Sequence, residues 1–202
     1  MASVYDLKPR FQTLLRPLCA RLAARGVTAN RITVLAVLIS LAWGAATALT
    51  RGAAWTLGFL PAILLLRMAL NAIDGMLARD FNQKSRLGAV LNELGDVVSD
   101  AALYLPFALI PGLAPLLVVL TVILAGMTEM AGVVALQIGA ARRYDGPFGK
   151  SDRAVFFGLL GLALGLGAAP GRWTDLLLLL AVAAALLTIV NRARAALAET
   201  GR

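Results

Sequence analysis

Six long apolar segments follow one another along the chain, with short polar stretches between them. They lie near residues 32–50, 53–78, 88–110, 113–139, 153–169 and 173–192. Each is long enough to cross a membrane as a helix, which takes roughly 17–25 residues. Polar and apolar residues do not alternate as they do in a transmembrane barrel. The pattern therefore predicts an all-α integral membrane protein, a bundle of six transmembrane helices.

The first 31 residues are more polar and are too rich in arginine for a signal peptide. Residues 4–25 place apolar side chains at helical spacing with basic residues between them, which predicts an amphipathic helix lying in the membrane interface. This helix either anchors the protein or contacts the substrate. Gly26 interrupts it, and Thr28 or Asn30 is the predicted N-cap of the first span. We thus expect an interfacial segment, 1–31, and a transmembrane domain, 32–202.

Composition agrees with a membrane protein and adds its orientation. Of the 202 residues, 60% are hydrophobic, and the mean hydropathy is +0.82. The net charge of +8 is unevenly spread: basic residues gather in 8–31, 79–86, 142–153 and 192–202. The opposite side carries only Arg51 and Arg172. The positive-inside rule then places both termini in the cytoplasm, so the charge indicates topology and anionic lipid rather than nucleic acid.

Histidine is absent from the sequence and Cys19 is the single cysteine. Histidine-based catalysis, histidine metal ligands and an internal disulfide are therefore excluded.

The second apolar segment carries Arg67, Asn71 and Asp74, spaced four and three apart, so they share one helical face. Polar groups are costly within a membrane, and we presume them to be functional. Arg67 needs a partner at that depth. It either pairs with Glu129 in the fourth segment or faces the acidic residues of the third.

The third segment presents Asn92, Asp96 and Asp100 at steps of four, again on one face. Glu93 is offset by about 100° and faces a neighbouring sector. Two helices that direct oxygen-bearing side chains at a common point could hold a hard metal ion such as Mg²⁺.

The spacing over residues 71–96 resembles the motif of the CDP-alcohol phosphotransferases, D-x-x-D-G-x-x-A-R-x8-G-x-x-x-D-x-x-x-D. All gaps match, and the matching residues are Asp74, Gly75, Ala78, Arg79, Gly88 and Asp96. Two positions depart from the motif, because Asn71 and Asn92 replace its first and third aspartates.

The resemblance implies a membrane enzyme that displaces CMP from a CDP-linked lipid or alcohol and leaves a phosphodiester. The expected substrates are CDP-diacylglycerol or a related CDP-alcohol and a polar acceptor alcohol. The basic loop that carries Lys150 and Arg153 favours a phosphorylated acceptor. By the same resemblance Asn71, Asp74, Asn92 and Asp96 are the ligands for Mg²⁺ or Mn²⁺, and Asp96 is the catalytic base. A homodimer in a bacterial inner membrane, with a cytoplasmic active site, is expected on the same ground.

Further site residues follow from the resemblance, each with a structural alternative. Nucleotide contacts are expected at Asn30, Thr33, Gly75, Ala78, Arg79 and Gly88. Helix capping is the alternative for Asn30 and Thr33, and helix packing is the alternative for the small residues. Lys150 and Arg153 are expected to bind the acceptor or its phosphate. Their alternative is a cytoplasmic basic loop with an N-cap at Ser151 or Asp152.

The two asparagines change the charge of the metal site. Asparagine still offers a carbonyl oxygen to a metal, but it brings no negative charge. Three outcomes are open. The site holds two ions only when the substrate diphosphate supplies the missing negative charge, or it holds one ion, or it has lost catalysis. Glu93 and Asp100 are the carboxylates that could compensate.

The leading hypothesis is an active transferase of phospholipid biosynthesis, and the alternative is a catalytically impaired relative that binds CDP-lipid or a membrane partner. A transporter is disfavoured because the polar residues do not continue across the bilayer.

Overall fold

The computed structural model describes residues 4–201, with side-chain surroundings from residue 12 onward. Within that range the chain forms eight α-helices: α1 (Val4–Ala24), α2 (Ala29–Leu49), α3 (Ala54–Gly58), α4 (Leu60–Asp80), α5 (Arg86–Tyr104), α6 (Pro115–Val134), α7 (Lys150–Gly165) and α8 (Arg172–Thr200). Short 3-10 turns, Leu105–Leu109 and Ala135–Ile138, continue α5 and α6. No strand occurs between residues 4 and 201. The prediction of an all-α protein is confirmed.

All six predicted segments are helical over most of their length, with 53–78 divided between α3 and α4, but they are not equally suited to a membrane. Four stretches are long and apolar enough to cross one: Ala29–Leu49, Leu60–Asp80, Pro115–Ile138 and Arg172–Thr200. Helix α7 has only 16 residues, fewer than the roughly 20 of an upright span. Helix α5 includes Glu93, Asp96 and Asp100 within its 19 residues. The six-span prediction is thus confirmed for four segments.

Helix α1 lies against the end of α4 where the polar motif begins. Its Cys19 is fully buried in a cluster with Met76 and Leu77, while Leu14 and Leu18 on the other side remain exposed. Arg16 forms an exposed ion pair with Asp80 at 3.3 Å. The side chains at 4–11, which complete the predicted amphipathic pattern, lie outside the described residues.

The break between α1 and α2 is as predicted. Gly26 has φ +72°, in the left-handed region that glycine enters without strain. Thr28 is the N-cap of α2, and its hydroxyl oxygen accepts a hydrogen bond from the Arg31 amide at 3.4 Å. Asn30 lies one residue inside the helix, so it is Thr28 and not Asn30 that caps α2.

Two contacts hold α5 in place between its neighbours. At Gly44 in α2, a Cβ atom would lie 2.0 Å from the backbone oxygen of Ala102 in α5, so the two backbones touch. On the other side, the ring of Tyr104 stacks on Phe157 of α7 with centroids 4.1 Å apart. The polar face of α5 is thereby fixed toward α4 and the start of α7.

Replacing Gly44 by alanine is expected to destabilise the protein by about 1–3 kcal/mol, because the added methyl group forces α2 and α5 apart. The thermal unfolding temperature in detergent would measure the loss. Gly126→Ala is the matched control, since a Cβ there meets only Val97 at 3.8 Å, an ordinary contact. Equal unfolding temperatures for the two variants would contradict the close approach of α2 and α5.

Candidate active site

Arg67 connects the polar faces of α4 and α5. Its Nη1 donates to Asp100 Oδ1 at 2.5 Å, and its Nη2 donates to the backbone oxygen of Asp96 at 3.1 Å. The same Nη2 lies 3.6 Å from Asp96 Oδ1. The alternative in which Arg67 faces the acidic site is confirmed. The predicted pair with Glu129 is wrong, because the neighbours of Glu129 among the described residues are other arginines.

Asp96 accepts hydrogen bonds from its neighbours on one carboxylate oxygen. Asn71 Nδ2 donates to Asp96 Oδ1 at 3.3 Å, and the ammonium group of Lys150 donates to the same oxygen. Lys150 is the first residue of α7. Across residues 12–201, no hydrogen bond reaches the other oxygen, Oδ2. The carboxylate is therefore held in position through one oxygen, while the other forms no hydrogen bond within that range, and the side chain is 17% exposed.

Asp74 lies on the other side of this cluster and is buried. The Thr33 hydroxyl of α2 donates to Asp74 Oδ2 at 2.7 Å, which orients the carboxylate. Asp74 is near enough to Asp96 and Lys150 for their charges to interact. Asn92 lies half-buried one turn before Asp96 on α5. Helices α2, α4, α5 and α7 thus all contribute to one site.

The residues expected to contact a nucleotide lie near the N-termini of α2 and α5 and toward the C-terminus of α4. The guanidinium of Arg79 lies over Gly75, where a Cβ atom would be 3.1 Å from Arg79 Nη1. Asn30 Oδ1 lies beside Gly88, at 2.7 Å from the position of a Cβ there. Both glycines therefore admit close neighbours that a larger side chain would displace. Ala78, in contrast, packs against the apolar cluster under α1.

A second ionic cluster lies next to Asp100 and includes residues that the sequence analysis did not single out. Asp100 Oδ2 accepts from Arg153 Nε at 2.9 Å, and Arg153 Nη2 also donates to Glu129 Oε1 at 2.9 Å. Arg192 of α8 donates to the Thr128 backbone oxygen at 2.5 Å and lies 3.7 Å from Glu129. Arg153 and Arg192 are 1% and 2% exposed. The available signal was Glu129, a lone acid in an apolar segment that needs a cation.

The two basic residues expected to bind the acceptor have different surroundings. Lys150 lies on Asp96 at the edge of the site, and Arg153 is enclosed by Asp100 and Glu129. The predicted cap of α7 at Ser151 or Asp152 is wrong, because the N-cap is Gly149. Asp152 lies three residues further on, and its carboxylate accepts a hydrogen bond from the backbone amide of Gly149 at 2.9 Å. The loop conformation places Lys150, and not a capping residue, at the first helical position.

The carboxylates that could compensate for the asparagines already have arginine partners. Asp100 is bound by two arginines, and Glu93 is bound by Arg142, which also lies 3.4 Å from Glu129. Among residues 12–201, no three acidic or cysteine side chains converge in a group suited to a metal. The available donors for a divalent ion are then two carboxylates and two amide oxygens: Asp74, Asp96, Asn71 and Asn92. These hard oxygen donors fit Mg²⁺ or Mn²⁺.

Comparison with known proteins agrees with the motif and the fold. The family model for CDP-alcohol phosphatidyltransferases matches residues 26–196, and the chain belongs to this family. The resemblance inferred from residues 71–96 is confirmed. The chain is also 48% identical over 195 residues to the inner membrane protein YnbA of Escherichia coli, an alignment that covers 96% of each protein.

The fold is also that of solved membrane proteins. It resembles the phosphatidylinositol phosphate synthase of Mycobacterium tuberculosis with CDP-DAG bound, with a TM-score of 0.77 over 92% of this chain and 94% of that one. A structure of the same synthase with manganese and citrate gives 0.75 over 92% and 90%. The sequence identity is 18% in both cases. The similarity establishes an all-helical membrane fold.

Proposed function

We propose that this protein is a membrane transferase that moves a phosphatidyl or similar phospho-alcohol group from a CDP-linked lipid to an acceptor alcohol and releases CMP. Phospholipid biosynthesis is the corresponding cellular role. The observation that carries the proposal is the state of Asp96. One of its oxygens is held by Lys150 and Asn71, and none of the residues 12–201 donates a hydrogen bond to the other.

The arrangement in the membrane is part of the proposal. Helices α5 and α7 complete six spans, with α1 lying in the interface, and both termini and the active site face the cytoplasm. The uneven distribution of basic residues supports this orientation. A bacterial inner membrane fits the description of YnbA as an inner membrane protein. Exposed leucines along the spans, such as Leu65 and Leu180, are suited to membrane lipid or to a second copy in a homodimer.

The nucleotide end of the substrate is assigned to the neighbouring ends of α2, α4 and α5. CDP-DAG is bound in the related synthase, and CDP-diacylglycerol or a related CDP-alcohol is the proposed donor here. Gly75 and Gly88 carry no side chain that would cover the backbone, Ala78 is small although it packs toward α1, and Asn30 and Thr33 add polar groups beside them. The planar guanidinium of Arg79 suits a phosphate.

The chemistry follows from the positions of the carboxylates. A divalent ion held by Asp74, Asp96, Asn71 and Asn92 would neutralise the charge that develops on the leaving phosphate. The open oxygen of Asp96 takes the proton of the acceptor hydroxyl. The hydroxyl oxygen forms a bond to the phosphorus nearer the lipid, and the bond from that phosphorus to the CMP oxygen breaks. Lys150, next to Asp96, is placed to attract an anionic acceptor.

CMP release by the purified full-length protein in detergent tests the proposal. The assay would supply CDP-diacylglycerol, Mg²⁺ or Mn²⁺ and a panel of acceptors that includes glycerol phosphate, inositol phosphate and serine. We expect release that needs both the ion and one acceptor class. Absence of release with every acceptor, from protein that is folded and binds CDP-lipid, would reject the transferase.

A second candidate function is a non-catalytic relative that binds CDP-lipid or a membrane partner, and the asparagines at 71 and 92 favour it. It differs from the first by binding the nucleotide without releasing CMP. Under this hypothesis, Asn71→Asp combined with Asn92→Asp creates an activity that the natural sequence lacks. Release of CMP by the natural sequence would exclude it.

A further inference from the structure

The charge of the site is set by three side chains. Asp74 and Asp96 each carry a negative charge, and Lys150, in contact with Asp96, carries a positive charge. Asn71 and Asn92 are neutral. Arg67 is bound mainly by Asp100, at 2.5 Å against 3.6 Å for Asp96. The two acids and Lys150 together carry a formal charge of −1. One divalent ion raises this charge to +1, and two raise it to +3.

Lys150 occupies a position that a lysine does not favour on local grounds. It is the first residue of α7, and the partial positive charge of a helix N-terminus disfavours a cation there. Its side chain is 30% exposed and its ammonium group contacts the Asp96 carboxylate rather than solvent alone. The Asp96 contact offsets the local cost. The helix geometry thus brings a cation from α7 to the same Asp96 oxygen that Arg67 of α4 approaches at 3.6 Å.

We propose that Lys150 is a built-in counter-cation, and that the site consequently takes a single divalent ion rather than two. The ammonium group supplies at Asp96 the positive charge that a second ion would otherwise provide. This assignment rests on the metal site of the proposed function, and it selects one of the occupancies that the asparagines leave open. It also assigns Lys150 a role at Asp96 that exists before any acceptor binds.

Titration of the purified full-length protein with Mn²⁺, without nucleotide, tests this assignment. Free Mn²⁺ is counted by its electron paramagnetic resonance signal, so the readout does not depend on turnover. We expect one ion per chain for the natural sequence. In Lys150→Met the ion binds at least about tenfold more tightly, because a nearby positive charge has been removed. Lys84→Met is the matched control, since Lys84 is an exposed loop lysine and the change in net charge is the same.

A triple variant probes the capacity of the site directly. Asn71→Asp, Asn92→Asp and Lys150→Met together bring the formal charge of the site to −4, and we expect two Mn²⁺ ions per chain. Two ions in the natural sequence would overturn the proposal. So would a Lys150→Met affinity equal to that of Lys84→Met. Lys150→Gln serves as a second neutral variant should the methionine variant fail to fold, and the count for the natural sequence decides in either case.

The outcomes separate this inference from the proposed function. Single-ion binding that depends on Lys150, without CMP release from any acceptor, would reject the transferase and retain the counter-cation. CMP release by a protein that binds two ions would retain the transferase and reject the counter-cation.

Discussion

Asp96→Asn is expected to lower the rate of CMP release by about 10²–10⁴-fold, the usual contribution of a positioned general base. The amide keeps the shape of the side chain but does not accept the proton of the acceptor hydroxyl. It also loses the ion pair with Lys150, so the loss should lie toward the upper end. The initial rate of CMP formation at saturating CDP-diacylglycerol measures it.

Asp80→Asn is the control for this substitution. Asp80 ends α4 close to the motif, and its only ion pair among the described residues is the exposed one with Arg16. We expect it to retain nearly the full rate. An Asp96→Asn variant that releases CMP as fast as Asp80→Asn would show that Asp96 takes no part in proton transfer.

Asp100→Asn is expected to destabilise the protein by about 3–5 kcal/mol, the cost of removing one partner of a buried ion pair. The substitution leaves Arg67 and Arg153, which are 3% and 1% exposed, without their shared carboxylate. Arg67 would then keep only the more distant carboxylate of Asp96, at 3.6 Å, and Arg153 would keep only Glu129. The free energy of unfolding in detergent, or the unfolding temperature where unfolding is irreversible, measures the loss.

Asp80→Asn again provides the comparison, because an exposed ion pair contributes only about 0–1 kcal/mol. Recovery of the free energy of unfolding in the double variant Asp100→Leu with Arg67→Met would assign the loss to unpaired charge rather than to shape. Equal stabilities of Asp100→Asn and the natural sequence would mean that this ionic cluster does not hold the helices together.

The two ionic clusters give the acidic residues of α5 different surroundings. Asp96, with Lys150 and Asn71, has an open oxygen at the edge of the site, whereas Asp100 is enclosed by arginines. They lie one turn apart on the same helical face. The neighbouring helices, rather than the spacing along α5, give the two carboxylates these different surroundings.

Local pattern alone was enough for much of the protein. Hydropathy located the long helices between residues 29 and 200, since a segment in a membrane has to satisfy its backbone internally, but it merged α3 and α4 into one segment and ended the last helix at 192 rather than Thr200. The helical period placed Arg67, Asn71 and Asp74 on one face, and the spacing over 71–96 identified the family. These features depend only on residues close together in the chain.

The tertiary structure decided which charges meet. Arg67 pairs with Asp100 and not with Glu129, Arg192 reaches the core from α8, and Lys150 lies on Asp96. Each of these partners is at least 33 positions away in sequence. Their distances are set by how the helices pack, as at the contact of Gly44 with α5. The sequence by itself therefore determined most of the helices, the family and the candidate residues, and packing alone determined which carboxylate each cation binds.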